Sequence, residues 1–81
     1  MTASKFIDYY ELLEISLNAN FETIERIFRY FAQRYHPDNP QTGDRSRFDV
    51  IVEAANTLRD PVRRARYDIS YQIQSSAREI G

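Results

Sequence analysis

The side chains most capable of chemistry in this sequence stand together at His36-Pro37-Asp38. Asp38 can accept a charge-assisted hydrogen bond from an arginine, including a bidentate one. His36 offers ring donors and acceptors and a stackable face. Pro37 fixes its own backbone angle and restricts the residue before it. Upstream, Arg26, Arg29 and Arg34 recur at helical spacing, with Tyr30 among them. Taken alone, these residues have an ordinary explanation: a histidine at a helix end complements the helix dipole, and three arginines make a solvated face. Nothing assembles into a catalytic set. With one His, no Cys and no second carboxylate of defined geometry, the sequence offers no nucleophile, acid–base dyad or metal-ligand group. Neither enzyme activity, cofactor nor metal is expected.

Helices are the elements that must position these residues. Asp8 followed by Glu11 is a capping-box pattern, and Ile7 and Leu12 stand where a hydrophobic staple would, so a short first helix is expected from about Tyr9 to Glu14. Asn20 can cap a second helix. In it Ile24, Ile27, Phe28, Phe31, Ala32 and Tyr35 share one inward face. Glu22, Arg26, Arg29 and Gln33 project from the other side, with Tyr30 and Arg34 along a flank. The helix must stop near Tyr35, because Pro37 has no amide hydrogen and disfavours helical geometry at His36. Turn and breaker residues follow to Asp44, among which Asn39-Pro40 reads as turn chemistry. Phe48, Ile51, Val52, Ala55 and Leu58 then mark a third helix, and two such helices joined by a short loop most simply form an antiparallel hairpin. Asp60-Pro61 closes the third helix and opens a short fourth, whose inner side is expected at Val62, Ala65 and Ile69. After Tyr71 the polar segment either extends this helix or frays.

Composition limits the alternatives. The chain has 81 residues, 42% hydrophobic and 28% charged, which suits one soluble domain with a real core. Two Gly and three Pro give little material for hairpins, so the fold class is read as all-α. The absence of Cys excludes disulfides and thiolate metal sites. Met1 to Ile7 holds no apolar run of signal-peptide length and no segment has the length of a membrane span, so a cytoplasmic protein without membrane contact is expected. A net charge of −1 argues against a nucleic-acid partner, although Arg63, Arg64 and Arg66 cluster locally.

From about Phe6 to Asp68 the sequence resembles the J-domain family. Asp8-Tyr9-Tyr10-Glu11-Leu12-Leu13 is similar to its opening helix, and Arg34-Tyr35-His36-Pro37-Asp38 to the end of its second helix with the signature loop. Phe48, Ile51, Glu53-Ala54 and Leu58 resemble the third helix, and Asp60-Pro61 through Arg63-Arg64 to Tyr67-Asp68 its junction with the fourth. Four marks in register are far more specific than the tripeptide alone. The resemblance implies a four-helix J-domain over residues 6–69, with helices II and III as the antiparallel hairpin and short helices I and IV. Residues 70–81 would be a helical extension or tail leading toward any further domains.

The same resemblance implies a co-chaperone module. In J-domains the HPD loop and the basic side of the second helix dock on an ATP-bound DnaK-type chaperone and accelerate its ATP hydrolysis. Carried onto this chain, the partner-binding residues are His36, Pro37, Asp38, Arg26, Arg29, Arg34 and Tyr30, and the module is expected to be a monomer whose client is unassigned. Several positions depart from the family pattern. Glu25 and Tyr30 stand where many members carry Lys or Arg, which thins the basic patch and lowers the expected salt dependence of docking. This thinning also leaves open a J-like interaction module with little stimulating activity. Glu14 replaces a common Gly, Ala55 a common aromatic, and the loop from Pro37 to Phe48 is shorter than in many relatives.

Overall fold

A computed structural model of the chain describes residues 6–80, with side chains as far as residue 75. Met1 to Lys5, part of the segment in which no signal peptide is expected, and Gly81 lie outside the described residues. Among the described residues four helices follow one another: α1 (Tyr9–Leu12), α2 (Phe21–Tyr35), α3 (Arg45–Arg59) and α4 (Pro61–Ile80). The expected all-α architecture is present.

Each helix begins where a side chain satisfies its free amides. Asp8 accepts from Glu11 N–H, Asn20 from Thr23 N–H and Asp44 from Arg47 N–H. The aspartate before Pro61 does the same, its Oδ1 accepting from the Val62 and Arg63 amides at 2.9 and 3.3 Å. α1 is two residues shorter than its expected extent to Glu14. Glu14 takes a left-handed φ of 56°, and the Glu14 and Ile15 amides return to the carbonyls of Glu11 and Tyr10, each at 3.0 Å. These two bonds form a Schellman motif, which ends a helix.

α2 and α3 run antiparallel. At one end the Asp44 amide donates to Tyr35 O at 3.0 Å, and at the other Arg59 of α3 reaches Glu25 of α2 at 3.0 Å. Ile24 and Phe31 from α2 meet Ile51, Ala54 and Leu58 from α3, and Tyr10 of α1 with Leu13 at its C-cap closes the core. Burying these groups supplies on the order of 2 kcal/mol for each large side chain, the main favourable contribution in a domain of this size.

α4 differs from expectation in length and in orientation. It runs for 20 residues, because no Gly or Pro follows Pro61 within it. Its inner side is formed by Arg64, Tyr67, Asp68 and Tyr71, whereas Val62 and Ile69 are 60% and 61% exposed and Ala65 is also exposed. The reason is hydrogen bonding to α1. The Tyr67 hydroxyl accepts the Tyr9 amide at 2.8 Å and donates to Ile7 O at 2.7 Å, while its ring stacks on Tyr9 with centroids 4.6 Å apart. Tyr10 donates to Asp68 Oδ1 at 2.6 Å, and Arg64 Nε donates to the Tyr10 hydroxyl at 3.1 Å. Three aliphatic side chains on the opposite face offer nothing comparable to α1.

Candidate functional site

The apolar face of α2 is committed to α3, so its opposite side is left outward. Arg26, Arg29, Tyr30 and Arg34 are all exposed there, Tyr30 by 56%. Among the described residues none of these three arginines forms an ion pair. Glu25 behaves differently. Its carboxylate meets Arg59 at 3.0 Å with both side chains largely shielded, and the Arg59 guanidinium lies 4.7 Å over the Phe28 ring. The acidic residue in the basic patch therefore holds the α2–α3 hairpin together.

Tyr35, at the end of the helix, marks the transition to the loop. Arg34 and Arg47 lie 5.7 and 5.5 Å from its ring centroid, and Arg47 Nη1 donates to its hydroxyl at 3.3 Å. The Arg34 guanidinium first, with Arg47 behind it, holds the Tyr35 hydroxyl below its usual pKa. A phenol and two cations thus lie immediately beside the loop.

His36 leaves helical geometry at φ −54° and ψ 134°, as the following proline requires. The Asp38 amide donates to His36 Nδ1 at 3.1 Å, so Nδ1 is the acceptor and, in the matching tautomer, Nε2 carries the ring hydrogen. The His36 and Phe48 rings meet edge to face with centroids 5.3 Å apart. The Asp38 side chain is 93% exposed, and its Oδ2 lies 3.9 Å from His36 Nδ1. A carboxylate presented in this way keeps its acceptor sites for an incoming cation.

The loop and the outer face of α2 are continuous, since Arg34 precedes His36 by two residues and Tyr30 and Arg26 lie one and two turns further back. All seven residues expected at the site are thus exposed on one end and one side of the hairpin. Sequence reasoning missed how the loop is closed. Asn39 and Thr42 are half-buried in it and bond back to α2. The available signal was an Asx residue two positions after a proline, followed by Thr-Gly.

The arginine cluster of α4 is dispersed. Arg63 meets Glu53 at 3.6 Å, and Arg64 turns inward to Tyr10 and to Leu17 O at 3.0 Å. Among the described residues no group of three His, Asp or Glu side chains is placed to hold a metal. Among the described residues no helix is long and apolar enough to cross a membrane.

The DnaJ domain family model matches residues 8–68. The chain is 48% identical over 64 residues to the chaperone protein DnaJ of a Nitratiruptor species, covering 76% of this chain and 17% of that protein. Over 62 residues it is 42% identical to the chaperone protein DnaJ of Shouchella clausii, which covers 75% of this chain and again 17% of the relative. The same protein of Gloeothece citriformis is 47% identical over 62 residues, 75% of this chain and 16% of its own length. The chain thus spans about a sixth of these relatives. The family match covers α1, the α2–α3 hairpin, the His36-Pro37-Asp38 loop and the first turns of α4, and the chain belongs to the J-domain family.

Proposed function

We propose that the domain is a co-chaperone module that docks on a DnaK-type chaperone and stimulates its ATP hydrolysis. The observation that carries this reading is the exposed Asp38 carboxylate at the tip of the hairpin, continuous with an outward face bearing Arg26, Arg29, Tyr30 and Arg34. Asp38 takes a partner arginine, His36 contributes its Nε2 hydrogen and ring face, and Pro37 supplies stiffness. The three arginines and Tyr30 meet an acidic surface that also has room for an aromatic ring. Catalysis stays in the partner. On this reading residues 6–69 form the docking module and residues 70–81 a helical extension. The module acts as a cytoplasmic monomer without nucleic acid or membrane.

A second reading, a J-like interaction module that binds without accelerating hydrolysis, is favoured by the exposed Tyr30 on the docking face and by Glu25, which pairs with Arg59 and contributes no cation to that face. The two are separated by measuring, in the same samples, binding of the labelled domain to the ATP-bound chaperone and the rate of hydrolysis. Binding with acceleration supports the first reading. Binding without acceleration supports the second, and absence of both rejects the pair.

A further inference from the structure

A regular helix would continue past Tyr35 with the amides of residues 37, 38 and 39 donating to the carbonyls of Gln33, Arg34 and Tyr35. None of these bonds forms. Pro37 has no amide hydrogen, the Asp38 amide goes to His36 Nδ1 at 3.1 Å, and the Asn39 amide goes to His36 O at 2.9 Å. Yet each of the three carbonyls finds a donor from the returning limb of the loop. Asn39 Nδ2 donates to Gln33 O at 3.4 Å, Thr42 Oγ1 to Arg34 O, and the Asp44 amide to Tyr35 O at 3.0 Å.

The limb is also closed on itself. Asn39 Oδ1 accepts the Gln41 and Thr42 amides at 3.0 and 3.2 Å, and Asn39 O accepts the Gly43 amide at 3.0 Å. Gly43 is needed for space rather than for torsion. A Cβ there would stand 2.5 Å from Asn39 O and 2.6 Å from His36 O, and both are backbone atoms that cannot swing aside.

We propose that Asn39, Thr42 and Gly43 are positioning residues for the His36-Pro37-Asp38 unit, fastening the loop to the last carbonyls of α2 and fixing its shape before a partner arrives. The inference rests on the docking reading. A loop already shaped loses less freedom on docking, so loosening it weakens binding and leaves the docked state unchanged. The half-saturating concentration should therefore move while the plateau rate does not.

The test uses Thr42→Val, which removes the hydroxyl and keeps the volume, Thr42→Ser, which keeps the hydroxyl, and Gly43→Ala. Circular dichroism and thermal melts first establish that each variant is folded. Hydrogen exchange is then followed at the Gly43 and Asp44 amides, and single-turnover hydrolysis by a DnaK-type chaperone is titrated with each protein. In Thr42→Val and Gly43→Ala both amides should exchange faster. The half-saturating concentration should rise about five- to tenfold at an unchanged plateau, the equivalent of losing roughly one hydrogen bond. Thr42→Ser should restore both readouts to within about twofold of wild type. Wild-type exchange or wild-type half-saturation in folded Thr42→Val overturns the inference, as does a lowered plateau with half-saturation unmoved. A wild-type domain that stimulates no such chaperone overturns the docking reading instead. The exchange measurement then still decides whether Thr42 holds the loop.

Discussion

Glu14 occupies a left-handed backbone conformation, φ 56°, that a side chain with a Cβ opposes. Replacing it with Gly, the residue common at this position in the family, should raise stability by about 1 kcal/mol, the relief of strain being partly offset by a more flexible unfolded chain. A thermal melt in which Tm fails to rise contradicts that reading of α1. Two tyrosines set the alkaline limit. Burial, followed by the hydrogen bond to Asp68, pushes Tyr10 up to about 12, and burial does the same for Tyr67. Below their ordinary value near 10 both are neutral in the folded and unfolded states. Between about 10 and 12 the unfolded chain loses these protons while the folded one keeps them, so stability falls as pH rises through this window. Urea melts across it should show a falling midpoint, and a flat profile would remove Tyr10 and Tyr67 from the α1–α4 contact.

At the scale of elements, the end of α2 was legible because Pro37 forbids continuation on steric grounds alone. The hairpin was legible because α2 and α3 each carry one apolar face. The face of α4 was not, since the helix carries two opposed stripes: Val62 and Ile69 on one side, Arg64, Tyr67, Asp68 and Tyr71 on the other. Hydrophobicity favours the first stripe. What decides is the pair of main-chain groups, Tyr9 N–H and Ile7 O, that the Tyr67 hydroxyl satisfies. Tyr67→Phe should therefore cost about 1 to 2 kcal/mol although the ring is kept, whereas Ile69→Ser should stay within about 0.5 kcal/mol of wild type. Reversed magnitudes in denaturant melts would restore the aliphatic stripe as the inner face. Leu13 gave no periodic signal, because α1 spans a single turn, yet it is fully buried. Leu13→Ala should cost about 2 to 5 kcal/mol. The exposed placement of His36, Pro37, Asp38 and the α2 arginines was legible from their register, whereas the closure of the loop was not. It depends on which carbonyls α2 leaves free, and the Asx residue after Pro37 signals a turn without naming the carbonyls it will meet.

At the scale of the whole molecule, the division of labour follows from the hairpin. Its inner faces make the core, its outer face carries Arg26, Arg29 and Arg34, and its tip carries Asp38. With Glu25 paired to Arg59, the outward charge of this face rests on Arg26, Arg29 and Arg34. Docking should weaken as salt rises from about 50 to 200 mM, and Arg29→Ala should raise the half-saturating concentration about two- to fivefold at the lower salt, with the difference shrinking at the higher. The most direct measurement of the central claim is single-turnover ATP hydrolysis by a DnaK-type chaperone titrated with the wild-type domain and with Asp38→Asn, both checked for folding by thermal melts. Asp38→Asn keeps the shape of the loop and removes its charge. Acceleration by the wild type that disappears in the folded variant is the expected result, and equal acceleration by both, or none by the wild type, would contradict it.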